Sequence, residues 1–129
     1  MVPTWLLTED KVTRIMKISF IVPSWHYYSD PFKHQPFWEI YYATNLKKQG
    51  YNVSVYDMRN LESLNFKDHA NKIPENDFYF YWIFKSGDAA EIYSIAKYLK
   101  EKFPKSTHAA GGTHVDMCQN ESKDFFDSI

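Results

Sequence analysis

Hydrophobic and polar positions along the chain fall into two alternating rhythms. Short apolar runs of strand length are separated by stretches in which apolar residues recur at helical spacing. Met16-Lys-Ile-Ser-Phe-Ile-Val22 predicts a first, central strand closed by Pro23, which has no backbone N–H to donate. Pro36 suits the first turn of a helix, and Phe37, Ile40, Tyr41, Thr44 and Leu46 predict its apolar face before Lys47, Lys48 and Gly50 stop it. Tyr51-Asn-Val-Ser-Val-Tyr56 alternates as a half-exposed strand does, with Asp57 at its carboxyl end. A short helix is expected around Asn65 to Asn71. Asp77 to Phe84 is an aromatic run that predicts a strand buried on both faces, with Trp82 and Phe84 packed in the core. Ala89, Ile92, Ala96, Leu99 and Phe103 recur at helical spacing, and Pro104 terminates that helix. A strand then starts at Ser106 and runs into Gly111-Gly112, and Asn120 to Ser128 begins a further helix.

Strands alternating with helices predict parallel βα units joined by right-handed crossovers. The expected fold is therefore a flavodoxin-like, doubly wound α/β sheet in three layers, α/β/α, with strand order 2-1-3-4 and any fifth strand beyond the fourth. Residues 1–15 read as an N-terminal extension and 16–129 as one α/β domain. Phe125 to Ile129 looks like the entrance to another strand, so that the domain is expected to lack its last unit.

Composition narrows the function classes. Fifteen Lys and Arg face 16 Asp and Glu, a formal charge of -1, which gives no field favouring nucleic acid or an anionic membrane. Cys118 is the only cysteine, so an intrachain disulfide and a multi-thiolate cluster are excluded and a reducing, cytoplasmic setting is expected. Aromatic residues make up 19% of the chain and supply flat apolar surface for a core or a pocket. No apolar run of signal-peptide or membrane-spanning length opens the sequence.

Chemistry concentrates at the predicted carboxyl edge of the sheet, where open α/β folds bind ligands. Ser106-Thr-His-Ala-Ala-Gly-Gly-Thr-His114 reads as a buried strand that ends in a ligand-facing loop. Its paired glycines allow close approach to the main chain, with Thr113 and His114 as polar tips. The loop from Ser24 to Gln35 is long for a strand-to-helix connection, and Trp25, His26, Tyr27, Tyr28 and His34 give it aromatic and basic side chains. Lys85-Ser-Gly-Asp88 follows the third strand. Cys118 has no companion at recognisable metal or nucleophile spacing and is expected to be a passive small side chain, with His69 and His108 structural. A nucleotide- or phosphate-binding module would want a glycine-rich fingerprint after the first strand, which the chain lacks. A receiver-like interaction domain would use Asp57 as acceptor but wants an acidic cluster where Pro23-Ser-Trp-His26 stands.

Four segments together carry a resemblance: Met16 to Pro23, Asn45-Leu-Lys-Lys-Gln-Gly-Tyr-Asn-Val-Ser-Val-Tyr-Asp57, Glu91 to Lys97, and Gly111-Gly-Thr-His114. With them the chain from Met16 to Ile129 resembles the N-terminal cobalamin-binding domain of cobalamin-dependent radical SAM enzymes. That resemblance implies cobalamin as cofactor, its corrin over the carboxyl edge and its nucleotide tail in a slot between strands and helices. It implies contacts from Ser86, Gly111 and Gly112, and the other residues at the same edge, Ser24, Trp25, His26, Tyr27, Gly87, Thr113 and His114, are expected to join them. The Asp-x-His-x-x-Gly motif that places a histidine on cobalt is missing, so no protein histidine is expected on the metal. A single cysteine cannot supply the three-cysteine radical SAM motif either. The implied role is a binding module that serves a radical SAM catalytic domain or subunit, such as that of a methyltransferase, and is not itself catalytic.

Overall fold

The computed structural model describes residues 15–25, 28–59 and 65–129. The expected N-terminal extension lies almost wholly outside them, as do His26 and Tyr27. Four strands, β1 (Lys17–Val22), β2 (Asn52–Asp57), β3 (Phe78–Trp82) and β4 (Thr107–Gly111), form one sheet in the order β2-β1-β3-β4. Every pairing is parallel, with Phe20 beside Val55 on one side and Phe80 on the other, and Phe80 beside Ala109. The helices are α1 (Phe37–Lys48), α2 (Phe66–Ala70), α3 (Ala89–Lys102), α4 (Thr113–Met117) and α5 (Gln119–Ser122). This is the expected flavodoxin-like topology. A single parallel bridge between Ala109 and Ser128 stands at the free side of β4, where a fifth strand was anticipated.

The period of two along each strand sorts side chains to two unlike faces. Ile21, Tyr79, Tyr81 and Ala110 turn toward α2 and α3, where Ala70, Ile92, Ile95, Ala96 and Leu99 complete the larger core. Ile18, Phe20, Phe78 and Phe80 turn the other way, toward Ala43 and Leu46 of α1. Only one helix covers this second face among the described residues.

Helix α1 departs from its expected orientation. Phe37, Ile40, Tyr41 and Thr44 point outward, with Phe37 59% exposed, and the buried positions are Glu39 and Ala43. Together with half-buried Leu46 these form an i, i+4, i+7 stripe. Apolar residues occur all around this helix, so periodicity alone did not select the buried side. Strand β3 is also shorter than expected: Ile83 lies beyond it and is buried, whereas Phe84 is exposed and takes no part in the core. Trp82 is half-buried at the end of β3. The C-terminal helical segment starts at Thr113, earlier than Asn120. The short helix α2 forms where expected, capped by the Asn65 side chain on the Lys67 N–H at 3.0 Å.

Candidate functional site

The carboxyl ends of β1, β3 and β4 do bring three of the expected segments to one edge of the sheet. Ser24 directly follows Pro23, and both its backbone N–H and its hydroxyl donate to the Glu91 carboxylate, at 2.9 and 2.7 Å. Trp25 adopts a positive φ of 51° and stands edge-on to Tyr28, with the Arg59 guanidinium 5.4 Å from its ring centre. Tyr28 in turn stacks near His34 and accepts a hydrogen bond from Lys85 Nζ at 2.7 Å. The aromatic loop is thereby tied to the β3–α3 loop, and His34 faces Tyr28.

Arg59 organises the same region. It donates through Nε and Nη2 to Asp57 at 2.9 and 2.6 Å, and through Nη1 to the carbonyls of Pro31 and His34. Burial pushes the Asp57 carboxyl up, but the side-chain and backbone hydrogen bonds from Arg59 outweigh it and hold the group below its ordinary range. Asp57 is committed to this clamp, which weighs against a receiver-type acceptor role for it.

The two glycines do different work. Gly112 has φ 109°, and a Cβ there would stand 2.6 Å from the Ile83 carbonyl oxygen, so its constraint is the packing of its own backbone. Gly111 would direct a Cβ at the Trp82 ring, 3.3 Å away, and its surface lines a cavity. Gly87 is exposed in the β3–α3 loop, and Thr113 is exposed at the start of α4. His114 is buried instead of pointing out from a loop. Its Nδ1 lies 2.8 Å from Ser86 Oγ, and its Nε2 lies 2.9 Å from the Tyr93 hydroxyl and 3.1 Å from Glu121 Oε2. Ser86 and His114 thus meet, but each is occupied by the other.

The cavity is a groove of about 450 Å³ on the sheet face that α1 only partly covers. Phe20, Phe80, Trp82, Ala109 and Gly111 form its floor, and Glu39, Tyr42, Leu46 and Gln49 of α1 and its cap form one wall. Because α1 starts near the carboxyl edge and runs back along the sheet, the groove extends from Trp82 and Gly111 at that edge toward Leu46. Two polar groups stand out in this apolar lining. Glu39 is 3% exposed, and burial, reinforced by the nearby Asp88 and Asp57 charges, raises its carboxyl to about 7 against the opposing hydrogen bond from its own backbone and the Arg59 charge. The Trp82 Nε1 donor is buried with no acceptor among the described residues. Beside them Trp38 and Tyr42 pack on the Trp82 ring, at 5.3 and 5.8 Å between centroids.

Sequence reasoning pointed to Gly111 but missed Glu39, Trp38, Tyr42 and Phe80. Their signal was present only as an unusual density of aromatic residues, which reads equally well as core. The fold and edge define the chain as a flavodoxin-like α/β protein. No model of a known protein family and no curated protein sequence matches it. Among the described residues no helix is long and apolar enough to cross a membrane.

Proposed function

We propose that this chain is a cobalamin-binding module. The observation that carries the reading is the apolar groove, which runs inward from the carboxyl edge beside Gly111 and has a volume in the range of small-molecule sites. A flat macrocycle with an elongated heteroaromatic tail needs broad apolar cover at an edge and a narrow slot leading from it. The aromatic loop at Trp25 and Tyr28 and the Phe37–Trp38 end of α1 supply the first, and the groove supplies the second. The residues fit the group in chemistry as well. The unpaired Trp82 N–H suits a ligand that carries acceptors, and a carboxyl raised to about 7 can donate or accept near neutral pH.

In this reading Phe20, Phe80, Trp82, Ala109 and Gly111 hold the tail, and Ser24, Trp25 and the loop at Ser86 and Gly87 border the corrin. The cofactor would supply organocobalt chemistry, and the protein would bind it, orient it and keep water from one side. No described histidine needs to leave its partners for this, since His114 is engaged with Ser86 and His34 faces Tyr28. A radical SAM catalytic domain or subunit is the partner this role calls for.

Absorption-monitored titration and calorimetry test the reading. One cobalamin per chain should bind, with the nucleotide base displaced from cobalt and no histidine taking its place. Ala109→Leu, which fills the groove floor, should weaken binding about tenfold or more while leaving the circular dichroism of the fold unchanged. Absence of binding by the folded chain, or equal affinity in the Ala109→Leu variant, would overturn it.

A further inference from the structure

The cluster formed by His114, Cys118 and Glu121 packs against α3, on the other face of the sheet from the groove, and meets the proposed cobalamin edge only through Ser86. One potential ligand atom from each, the imidazole nitrogen, the thiol sulfur and a carboxylate oxygen, falls within 4.8 Å of the other two. The expectation that Cys118 has no metal-spaced companion is corrected by this local structure. Cys118 caps α4 with its backbone N–H on the His114 carbonyl at 2.8 Å, which brings the two residues together across one turn, and α5 brings Glu121 back three residues later.

From these positions we propose that His114, Cys118 and Glu121 bind a zinc-type divalent cation through one nitrogen, one sulfur and one oxygen, leaving a fourth position open to solvent. Donors that share a tetrahedral zinc stand about 3.3 to 3.6 Å apart, given Zn–N, Zn–O and Zn–S bonds of about 2.0 to 2.3 Å. Nε2 of His114 and Oε2 of Glu121 are already 3.1 Å apart. Cys118 is half-buried and Glu121 exposed, so both can make small side-chain rotations that close the remaining distance. A mixed thiolate, imidazole and carboxylate set suits zinc far better than magnesium or calcium, which prefer oxygen alone.

The surrounding residues are arranged as outer partners of such a site. Ser86 Oγ lies 2.8 Å from His114 Nδ1 and can accept a hydrogen bond from Nδ1–H once a cation displaces the Nε2 proton that faces Glu121 Oε2 in the metal-free chain. The Tyr93 hydroxyl donates to Glu121 Oε2 at 2.6 Å and so orients that carboxylate beside His114. The exposed recess between Asp116 and Glu121 gives a cation access to the cluster.

Cobalt(II) is the spectroscopic probe for this site. Titration of the metal-free chain should give one equivalent of bound Co(II), with a near-ultraviolet thiolate-to-cobalt charge-transfer band and the intense visible bands of four-coordinate cobalt. Zn(II) should displace it. Cys118→Ser should abolish the charge-transfer band and weaken Zn(II) affinity by about 100-fold or more, and Tyr93→Phe should weaken it about tenfold, as loss of an outer partner does. Glu121→Gln, at an exposed position, serves as a second ligand variant that leaves the fold intact. A six-coordinate cobalt spectrum without the thiolate band, or Zn(II) affinity unchanged in both Cys118→Ser and Glu121→Gln, would overturn the assignment.

Discussion

Glu39 and His108 are two buried ionisable side chains whose protonation opposes one another. Glu39 is raised to about 7, mainly by burial, so the folded protein takes up a proton there that the unfolded chain, with an ordinary value of 4.5, has released. Stability from this group therefore falls as pH rises from about 4.5 through 7, by on the order of 1 to 3 kcal/mol. His108 is fully buried, stacked between Tyr79 and Tyr81, and lowered to about 4 by burial and then by Lys100, against the pull of Asp127. The folded state there binds fewer protons than the unfolded state, so stability is lost as pH falls from 6.5 through about 4. The slopes have opposite sign over the shared window, and the wild-type denaturation midpoint should be nearly flat there. Glu39→Gln should leave a midpoint that rises with pH, and His108→Gln one that falls, as urea denaturation at a series of pH values would show. Tyr81→Phe, which removes the hydroxyl 2.9 Å from His108 Nδ1, should destabilise by about 1 to 3 kcal/mol in the same measurement.

Among elements, α1 and α3 present contrasting uses of apolar residues. Helix α3 follows the expected pattern, with Ile92, Ile95, Ala96 and Leu99 buried against the sheet. Helix α1 buries a carboxyl and an alanine and carries Phe37, Trp38, Tyr41 and Tyr42 as a continuous aromatic surface, with ring centres 5.1 to 6.2 Å apart. Leu99→Ala should destabilise by about 2 to 5 kcal/mol through loss of contacts and a residual cavity. Phe37→Ser should change stability by no more than about 0.5 kcal/mol, because the side chain gives up little burial. Phe80, half-buried and stacked on Phe20 and Phe78, should fall between them, while Lys97→Ala is near neutral. Comparison of the four denaturation midpoints checks the order.

At the scale of the whole molecule, the sheet order makes β1 and β3 central and β2 an edge. Backbone N–H groups of β1 and β3 are held between two neighbours and beneath side chains, so their hydrogen exchange should be slowest. Those of β2 should exchange faster, as its residues are exposed or half-exposed throughout. Residue-resolved exchange showing β2 as the best protected strand would contradict the topology. The same sheet separates the groove, on the α1 face, from the proposed cation-binding cluster of His114, Cys118 and Glu121, on the α3 face.

Much of this architecture was legible in the chain itself, because strand runs bounded by Pro23, Gly50, Pro104 and Gly111 leave few ways to arrange parallel βα units. Period and punctuation are local properties, and the four strands, α1, α2 and α3 follow from them to within a few residues. Which side of α1 faces inward was not local, since apolar residues surround that helix and only the available space beside Phe20 and Phe80 chose Glu39 and Ala43. The pair of glycines could be read as special, but only packing shows that Gly112 is fixed by the Ile83 carbonyl and Gly111 by the Trp82 ring. The burial of His114 against Ser86 and Tyr93, and its closeness to Cys118 and Glu121, likewise depend on α4 and α5 folding back over α3. Sequence order determined the sheet because backbone pairing and hydrophobic period act over short distances. Tertiary structure decided the sites, because they are made by side chains from elements that meet only once the sheet has formed.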